Sequence, residues 1–280
     1  MQELKLENRE SSSPIGESRG SESLTIEQAI DNLESADLGL RFYAAWWLGR
    51  FRIRQVNAVL GLIKALADEA DRTPEGGYPL RRNAARALGK IGDIQAVPEL
   101  IKSLECSDFY VREAAAESLG FLGDVSAIPV LNKILAFGLQ DGKLKPQQTN
   151  NEQPYDAIIE ALGNLQAHIS IPCIQPFLKH PIQRVGYSAA RAMYQLTLEP
   201  VYGEILLKAL EGDDLQLRRT VLSDLGAIGY LPAAEPIAQT LAENSLKLIA
   251  LKGLLERQVK QEGSLCKGAI RIMNLMDSLL

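Results

Sequence analysis

An internal repeat constrains the fold of this chain more than any other feature of its 280 residues. The segment LRRNAARALGKIGDIQAVPELIKSL, which starts at Leu80, matches VREAAAESLGFLGDVSAIPVLNKIL, which starts at Val111, at one offset throughout. Weaker copies start at Leu40, Tyr155, Val185 and Leu217, and a last degenerate copy starts near Leu246. Self-similarity of this kind is typical of solenoids, in which each unit packs only against its neighbours.

The spacing of the copies is measured at the residue after the recurrent leucine of each one. Gly89 and Gly120 are 31 positions apart, as are Gly163 and Tyr194. The interval from Gly49 to Gly89 is 40 positions and that from Gly120 to Gly163 is 43. The extra residues lie in ADEADRTPEGGYP and GLQDGKLKPQQTNNEQP, which are predicted to be loops because they are rich in Gly, Pro and polar residues.

Each copy predicts a pair of helices. In VREAAAESLGFLG the apolar and small residues recur at helical spacing, and the Gly-Asp that follows predicts the helix end, because glycine readily adopts the left-handed conformation. The second helix, such as AVPELIKSL, has proline near its start, where a missing N–H is harmless. Neither helix buries its apolar stripe alone, so the prediction is an all-α solenoid of about six to seven helix pairs.

Composition and charge narrow the classes of function. A net charge of −5 argues against non-specific nucleic-acid binding, which needs a basic surface, and no apolar run approaches the roughly 18 residues of a membrane span. Residues 1–23 are polar and lack the apolar region of a secretory signal, so they are predicted to be a disordered tail before a single solenoid domain over residues 24–280. The odd cysteine count indicates a reducing compartment, and we expect a cytoplasmic protein.

Standard catalytic and metal-binding motifs are absent from the sequence. Cys106, Cys173 and Cys266 lie far apart and form no CxxC or Cys/His cluster, so no metal site is expected. His168 and His180 lie outside any HExxH pattern, and no GxGxxG, GxxxxGK[ST] or GxSxG is present. Two classes remain, a scaffold or an enzyme that works mainly by binding and orienting its substrate.

The pattern DxxVRxxAAxALGxIGDxxAVPxLIxxL resembles HEAT repeats of the short phycobilisome-lyase type. In such repeats the helix that starts with VR lines the concave face, so the resemblance implies that the x positions of each first helix face that surface. Aspartate and arginine recur four residues apart at the start of these helices, and we assign them to the framework as ion pairs at a helix N-terminus. The pairs are Asp37–Arg41, Asp108–Arg112 and Asp214–Arg218.

The x positions change in character along the chain, from aromatic to basic, acidic and basic again. They are Phe42, Tyr43 and Trp46; Arg82, Asn83 and Arg86; Phe109, Tyr110, Glu113 and Glu117; Asp156 and Glu160; Tyr187, Ser188 and Arg191; and Arg219, Thr220 and Ser223. Such a surface suits a flat conjugated molecule with carboxylates, because aromatic faces stack on rings and arginine binds carboxylates bidentately. The alternative is that these charges are merely solvated and pair with one another.

The block FYAAWWLGRF, from Phe42 to Phe51, concentrates aromatic residues in a chain that is only 6% aromatic. Phe42, Tyr43 and Trp46 replace residues that are small or polar in the other copies, and they predict either a cap on the open end of the solenoid or a patch that binds a partner. Trp47 occupies an alanine position and is predicted to be buried.

The segments FYAAWWLGRFRIRQVNAVLGLIKAL and PLRRNAARALGKIGDIQAVPELIKSL, preceded by LTIEQAIDNL, resemble the E subunits of the E/F-type bilin lyases. The resemblance implies a heterodimer with an F-type subunit that attaches phycocyanobilin, as substrate and without a cofactor, to a cysteine of the apo-phycocyanin alpha subunit. The attacking thiol then belongs to the acceptor, which accounts for the missing nucleophile. A phycoerythrocyanin-type lyase-isomerase, a phycoerythrin-specific relative and a non-catalytic adaptor of phycobilisome assembly or degradation stay open as alternatives.

Under the lyase interpretation, helix position assigns roles to the x positions. Asp156 and Glu160 are the candidate catalytic acids, since an acid near the pyrrole nitrogens favours addition. The candidate bilin-binding residues are Arg82, Arg86, Tyr110, Tyr187, Arg191 and Arg219. The aromatic residues Phe42, Tyr43 and Trp46 are assigned to partner binding, with the F-type subunit as the first choice.

Overall fold

The computed structural model describes residues 24–145 and 153–280, which form helices joined by short turns. The first eight helices are α1 Ile26–Asn32, α2 Leu38–Arg50, α3 Val56–Ala65, α4 Pro79–Ile91, α5 Val97–Ser103, α6 Phe109–Leu122, α7 Ile128–Phe137 and α8 Tyr155–Asn164. The others are α9 Ile171–Ile174, α10 Gln183–Thr197, α11 Pro200–Ala209, α12 Leu215–Ile228, α13 Ala234–Gln239, α14 Asn244–Glu262 and α15 Lys267–Asp277. The predicted all-α solenoid is confirmed, with seven helix pairs from α2/α3 to α14/α15.

The sequence signals that delimit the helices act as predicted. Gly92 and Gly123 end α4 and α6 with φ angles of 79° and 75°, in the left-handed region that glycine adopts without strain. The aspartates that follow, Asp93 and Asp124, cap single 3₁₀ turns by accepting hydrogen bonds from backbone N–H groups. Proline then stands in the first turn of the second helix in both units.

The framework assignment of the aspartate–arginine pairs is half right. Asp37 and Asp108 cap α2 and α6 by accepting hydrogen bonds from backbone N–H groups, as expected at a helix N-terminus. The predicted ion pair of Arg41 with Asp37 is wrong, because the Arg41 guanidinium binds Asp68 in the loop after α3. Arg112 donates hydrogen bonds to the backbone carbonyls of the turn before its own helix. These arginines therefore hold loops in place against the first helices.

The first helices of the units stack closely because small residues meet at their crossings. A Cβ atom added at Gly49 would lie 2.6 Å from the Cα atom of Ala87 in the next unit, and one at Gly89 would lie 2.5 Å from Oγ of Ser118. A Cβ atom added at Gly120 would likewise lie 2.8 Å from the Cα atom of Ala161. These first helices pack against one another more closely than the second helices do, and their variable positions share one face of the stack. We call this face the concave side, as the resemblance implies.

The packing changes between α10 and α12. Tyr194 occupies the glycine position of α10, and Asp224 occupies the position in α12 against which that glycine packs in the other units. The two helices make much less contact than other neighbouring first helices do, and the buried apolar side chains form two clusters that meet at α10. One cluster extends from Ala29 to Tyr202 and the other from Ala190 to Ile272.

Three other predictions have mixed outcomes. The first predicted loop, residues 67–79, is irregular up to the start of α4, but the second contains a two-stranded hairpin, with β1 Leu139–Gln140 antiparallel to β2 Lys143–Leu144. Trp47 is only half-buried, against Phe51, because an indole does not fit a position built for alanine. The disordered tail assigned to residues 1–23 lies outside the described residues, and the single domain over residues 24–280 stays a prediction.

Candidate functional site

The aromatic x positions of α2 form an exposed patch on the concave side of the first unit. Phe42, Tyr43 and Trp46 are 37%, 47% and 43% exposed, and the rings of Tyr43 and Trp46 stack with centroids 5.5 Å apart. Asn83 of the next unit donates a hydrogen bond to the carbonyl of Phe42 across 3.3 Å, which ties the patch to α4. We call these three residues the aromatic patch. Large exposed apolar surface of this kind is typical of interfaces.

A cation and a ring lie together where α4 meets α6. The guanidinium of Arg82 is 5.7 Å from the ring centroid of Tyr110, which is itself exposed. Arg82 makes no ion pair within the described part of the chain, and its Nε atom is buried without a hydrogen-bond partner there. The pair therefore offers a stacking surface beside an unpaired positive charge.

Arginine and carboxylate side chains alternate along the middle of the concave side. Arg86 of α4 lies 3.6 Å from Glu113 and 3.9 Å from Glu117, both on α6. Arg184, at the start of α10, lies 3.7 Å from Glu113 and forms an ion pair with Asp156 of α8 across 2.6 Å. The charges thus connect four consecutive first helices, and only the contact of Arg184 with Asp156 has hydrogen-bond length.

Glu113 and Glu117 differ from the other carboxylates of this network in their environment. Their side chains are 12% and 37% exposed, and in the described residues neither receives a hydrogen bond. Burial, reinforced by the negative charge of Asp156, raises the pKa of Glu113. Burial, reinforced by the charge of Glu113, raises the pKa of Glu117. These two carboxyl groups therefore keep a proton to higher pH than ordinary glutamates do.

A second charged cluster bridges α8, α10 and α12. Nη1 of Arg191 lies 3.2 Å from Glu160 and 2.8 Å from Oδ1 of Asp224, and the hydroxyl of Ser188 donates to Glu160 across 2.7 Å. Asp224 is only 3% exposed, and burial raises its pKa to about 6 despite the nearby positive charge of Arg191. Its Oδ2 atom has no hydrogen-bond partner among the described residues.

The remaining predicted site residues lie toward the C-terminal end of the concave side. Arg219 of α12 donates through Nε to Glu243 across 3.2 Å, at the start of α14. Tyr187 of α10 is half-buried against the second apolar cluster. Neither residue contacts the network around Arg86 and Glu113 in this structure.

The structure therefore brings together most of the predicted residues and adds others that the sequence did not assign. Asp156 and Glu160, the predicted acids, are acceptors in ion pairs or hydrogen bonds, whereas Glu113 and Glu117 are not hydrogen-bonded. Arg184 and Asp224 were missed. Arg184 lies one residue before the start of its repeat copy at Val185, and Asp224 occupies a framework position. The sequence did contain a signal for Asp224. The equivalent residue is small in the other copies, apart from Trp47 in the first, so a carboxylate at this position stands out.

No metal centre is evident on these elements. Among residues 24–145 and 153–280, no group of three His, Cys, Asp or Glu side chains is arranged to hold a metal ion. Cys106, Cys173 and Cys266 are free and half-buried. Within the same ranges no helix is long and apolar enough to cross a membrane.

The stacked helix pairs and their charged concave side define the class of protein, a HEAT-repeat solenoid. The HEAT-repeat family model matches residues 63–137. The phycocyanobilin lyase subunit alpha of Nostoc sp. strain PCC 7120 is 62% identical over 92% of this chain and 94% of that protein. The subunit of the same name from Pseudanabaena tenuis is 65% identical over 92% of this chain and 96% of its own length. The chain belongs to the family of phycocyanobilin lyase alpha subunits.

A solved structure and a more distant relative agree with this assignment. The structure described as the complex of CpcE and CpcF of phycocyanin lyase from Nostoc sp. PCC7120 contains a chain that superposes with a TM-score of 0.83 at 58% identity, over 99% of this chain and 100% of that one. The bilin biosynthesis protein PecE of Nostoc sp. strain PCC 7120 is 42% identical over 92% of this chain. The lower identity to PecE does not favour the alternative assignments.

Proposed function

We propose that this chain is the alpha, E-type, subunit of a bilin lyase that binds phycocyanobilin and attaches it to a cysteine of the phycocyanin alpha subunit. The observation that carries the proposal is 62% identity to a phycocyanobilin lyase alpha subunit over 92% of the chain. The active enzyme is a heterodimer with an F-type subunit, which is supported by the 58% identity to a chain of the CpcE–CpcF complex. We also propose a cytoplasmic location, because the three cysteines are free.

The reaction is the addition of a thiol to a carbon–carbon double bond. The sulfur of the acceptor cysteine bonds to the exocyclic carbon of the ethylidene group on ring A, and the adjacent ring carbon gains a proton that balances the one lost by the thiol. No oxidant or reductant is consumed. The lyase contributes by holding the tetrapyrrole in one conformation, by excluding water and by presenting it to the acceptor.

The concave side offers groups for each part of the bilin. Arg82 lies over Tyr110 without an ion pair, so it is the best candidate for a propionate beside a stacked ring. Arg86, Arg191 and Arg219 share carboxylate partners within the chain, and each binds a propionate only when it exchanges such a partner. Tyr187 is assigned to the same bilin-binding surface on the concave side because of its position on α10.

The acid and partner-binding roles are also proposals. Asp156 and Glu160 are candidates for the acid from their helix positions on α8, where Asp156 forms an ion pair with Arg184 and Glu160 accepts hydrogen bonds from Ser188 and Arg191. The aromatic patch is assigned to the F-type subunit, because exposed aromatic surface is enriched at interfaces.

Reconstitution tests the function directly. Purified protein is mixed with phycocyanobilin, an F-type subunit and the apo-phycocyanin alpha subunit under reducing conditions, and the acceptor is then denatured in acid. We expect visible absorbance that stays covalently on the acceptor. Omission of this chain and replacement of the acceptor cysteine by serine are the controls. A complete mixture that leaves no bilin on the acceptor contradicts the proposal.

The bilin-binding assignment has a separate test that needs no turnover. The double substitution Arg82→Ala and Arg86→Ala is expected to weaken phycocyanobilin binding by the heterodimer about tenfold or more, because charged hydrogen bonds contribute roughly 1.5–3 kcal/mol each. Binding is followed by titration of the bilin absorbance. Lys102→Ala on the outer helix α5, where the ammonium is largely exposed, is the matched control. Unchanged affinity removes both arginines from the site.

A further inference from the structure

One group on the concave side has the exposure, the neighbours and the free hydrogen-bonding capacity of a proton donor, and it is neither of the acids that helix position indicated. Glu117 lies on α6 between the arginines of α4 and the carboxylates of α8. At 37% exposed it is accessible from the groove, whereas Glu113, one turn earlier, is 12% exposed. The two carboxyl groups are four residues apart and therefore lie on one helix face.

The other carboxylates along the concave side already pair with arginine or serine side chains of the protein. Asp156 forms an ion pair with Arg184 across 2.6 Å, and the two oxygens of Glu160 accept hydrogen bonds from Ser188 and Arg191. Protonation of either carboxylate would weaken a close contact with an arginine. Glu117 has no such contact, because its nearest cation, Arg86, is 3.9 Å away, beyond hydrogen-bond distance.

The surroundings of Glu117 favour the protonated form. Glu113 lies on the same helix, and Arg82 and Arg86 face the pair from α4, Asp156 and Glu160 from α8, and Arg184 from α10. Burial and the charge of Glu113 outweigh the arginines, so the pKa of Glu117 is raised above its ordinary value. A general acid has to carry a proton when it meets its substrate, and a raised pKa favours that form.

We propose that Glu117 is the general acid of the lyase, that it donates a proton to a nitrogen of the bound bilin, and that Glu113 is a positioning residue, because the two carboxyl groups repel each other when both are ionised and the pair therefore retains a proton. The proposal rests on the proposed function. Tyr110 and Arg82, which also lie where α4 meets α6, provide the ring contact and the propionate partner beside it.

The proton transfer leaves the overall reaction balanced. A proton from Glu117 on a ring nitrogen withdraws electrons from the conjugated ethylidene group, so the exocyclic carbon accepts the electron pair of the thiolate sulfur. The nitrogen returns this proton to the Glu117 carboxylate as the adjacent ring carbon takes up the proton that balances the loss from the thiol. The carbon–sulfur bond forms, the double bond becomes single, and the acid is regenerated.

The test uses the reconstituted heterodimer with the variants Glu117→Gln and Glu113→Gln, and Glu99→Gln on the outer helix α5 as the control. We expect Glu117→Gln to lower the rate of bilin transfer about a hundredfold or more, in line with general acid catalysis. Glu113→Gln is expected to keep the maximal rate, but as the pH is raised the rate should fall at a lower pH than in the unmodified enzyme. The reason is that removal of the repelling charge lowers the pKa of Glu117. Both changes remove a charge from a partly buried site, so we expect the variants to fold.

A second readout is independent of the thiol. Protonation of a bilin changes its visible spectrum, so the apparent pKa of phycocyanobilin bound to the heterodimer is measured by absorbance against pH. In Glu117→Gln we expect this pKa to fall, because a carboxylate that stabilises the protonated bilin is gone. Circular dichroism and co-purification with the F-type subunit establish that the variants are folded and paired.

The outcomes separate this proposal from the assignment of the enzyme. If the unmodified heterodimer transfers bilin and Glu117→Gln keeps both the rate and the bound-bilin pKa, Glu117 is not the acid while the lyase function stands. If Asp156→Asn or Glu160→Gln instead abolishes the alkaline limb of the pH–rate profile, the acid is on α8 and the proposal is overturned. Failure of the unmodified heterodimer to transfer bilin contradicts the proposed function itself.

Discussion

Replacement of Asp224 by asparagine probes the interface between α10 and α12, which, alone among the first-helix interfaces that the structure describes, lacks the small-residue contact. In the native chain, Oδ1 of Asp224 accepts from Arg191 across 2.8 Å, Oδ2 has no partner in the described residues, and the side chain is almost completely buried. Asparagine keeps the shape and one acceptor oxygen but cannot ionise. Arg191 also pairs with Glu160, so the substitution is not expected to leave its guanidinium without a carboxylate.

The magnitude follows from the pKa of Asp224, which burial raises from 3.8 to about 6. The positive charges of Arg191 and Arg184 lower this pKa and the negative charge of Glu160 raises it, but burial has the largest effect. An acid with a raised pKa in the folded state favours folding below its unfolded pKa and loses that contribution as pH rises through the folded pKa. A shift of about two units at 1.36 kcal/mol each makes the ionised carboxylate cost roughly 3 kcal/mol of folding free energy.

The expected result is a difference that depends on pH. Between about pH 4 and pH 8, the free energy of unfolding of Asp224→Asn relative to the native chain should change by roughly 3 kcal/mol in favour of the variant. Urea unfolding followed by circular dichroism measures both proteins, and Asp213→Asn, an exposed carboxylate just before α12, is the control. A difference that stays constant across this pH range refutes the claim that Asp224 is a costly buried charge.

Three further predictions concern the patch, the helix crossings and the loop before α4. Trp46→Ala is expected to weaken association with the F-type subunit at least tenfold, as measured by calorimetry. The control is Phe121→Ala, which removes an exposed ring at the end of α6 and is expected to leave the affinity unchanged. If Trp46→Ala pairs with the F-type subunit and transfers bilin fully, the aromatic patch is only a cap on the end of the solenoid. Gly89→Ala is expected to destabilise the chain by about 1–3 kcal/mol in urea, because the new methyl group meets Ser118, and a loss as small as that of Gly212→Ala contradicts this packing. Arg41→Ala is expected to cost roughly 3–5 kcal/mol, since the largely buried carboxylate of Asp68 then keeps only the hydrogen bond from the backbone N–H of Asp71, and a cost below 1 kcal/mol would show that the ion pair is not important.

Much of the fold was readable because it is local and repeated. The left-handed conformations at Gly92 and Gly123, the capping by Asp37 and Asp108 and the proline in the second helix each depend on a few adjacent residues. Repetition then multiplied each weak signal. The errors arose where a local rule competed with a tertiary contact, as for Arg41, whose guanidinium reaches the loop after α3 instead of the nearer aspartate.

The candidate site was predictable in outline only. The x positions indicated side chains that the structure places near one another, including Arg82, Tyr110 and Glu113. They did not indicate which partners would meet, because contacts such as Arg184 with Glu113 join units that are not neighbours in the repeat, across 3.7 Å. Asp224 was missed because its position is one at which the repeat places a small framework residue.

The sequence by itself determined the repeating unit, the order of its two helices and the side chains that each first helix presents, since all three follow from periodicity within about thirty residues. Only the tertiary structure decided which charges neutralise one another. That outcome depends on the stagger of helices from different units, which places Arg191 against Asp224 and leaves both Glu117 and Arg82 without a hydrogen-bonded partner of opposite charge. The chemistry proposed for the groove follows from that pairing, because a proton or a propionate binds most readily to the groups that the protein has not already satisfied.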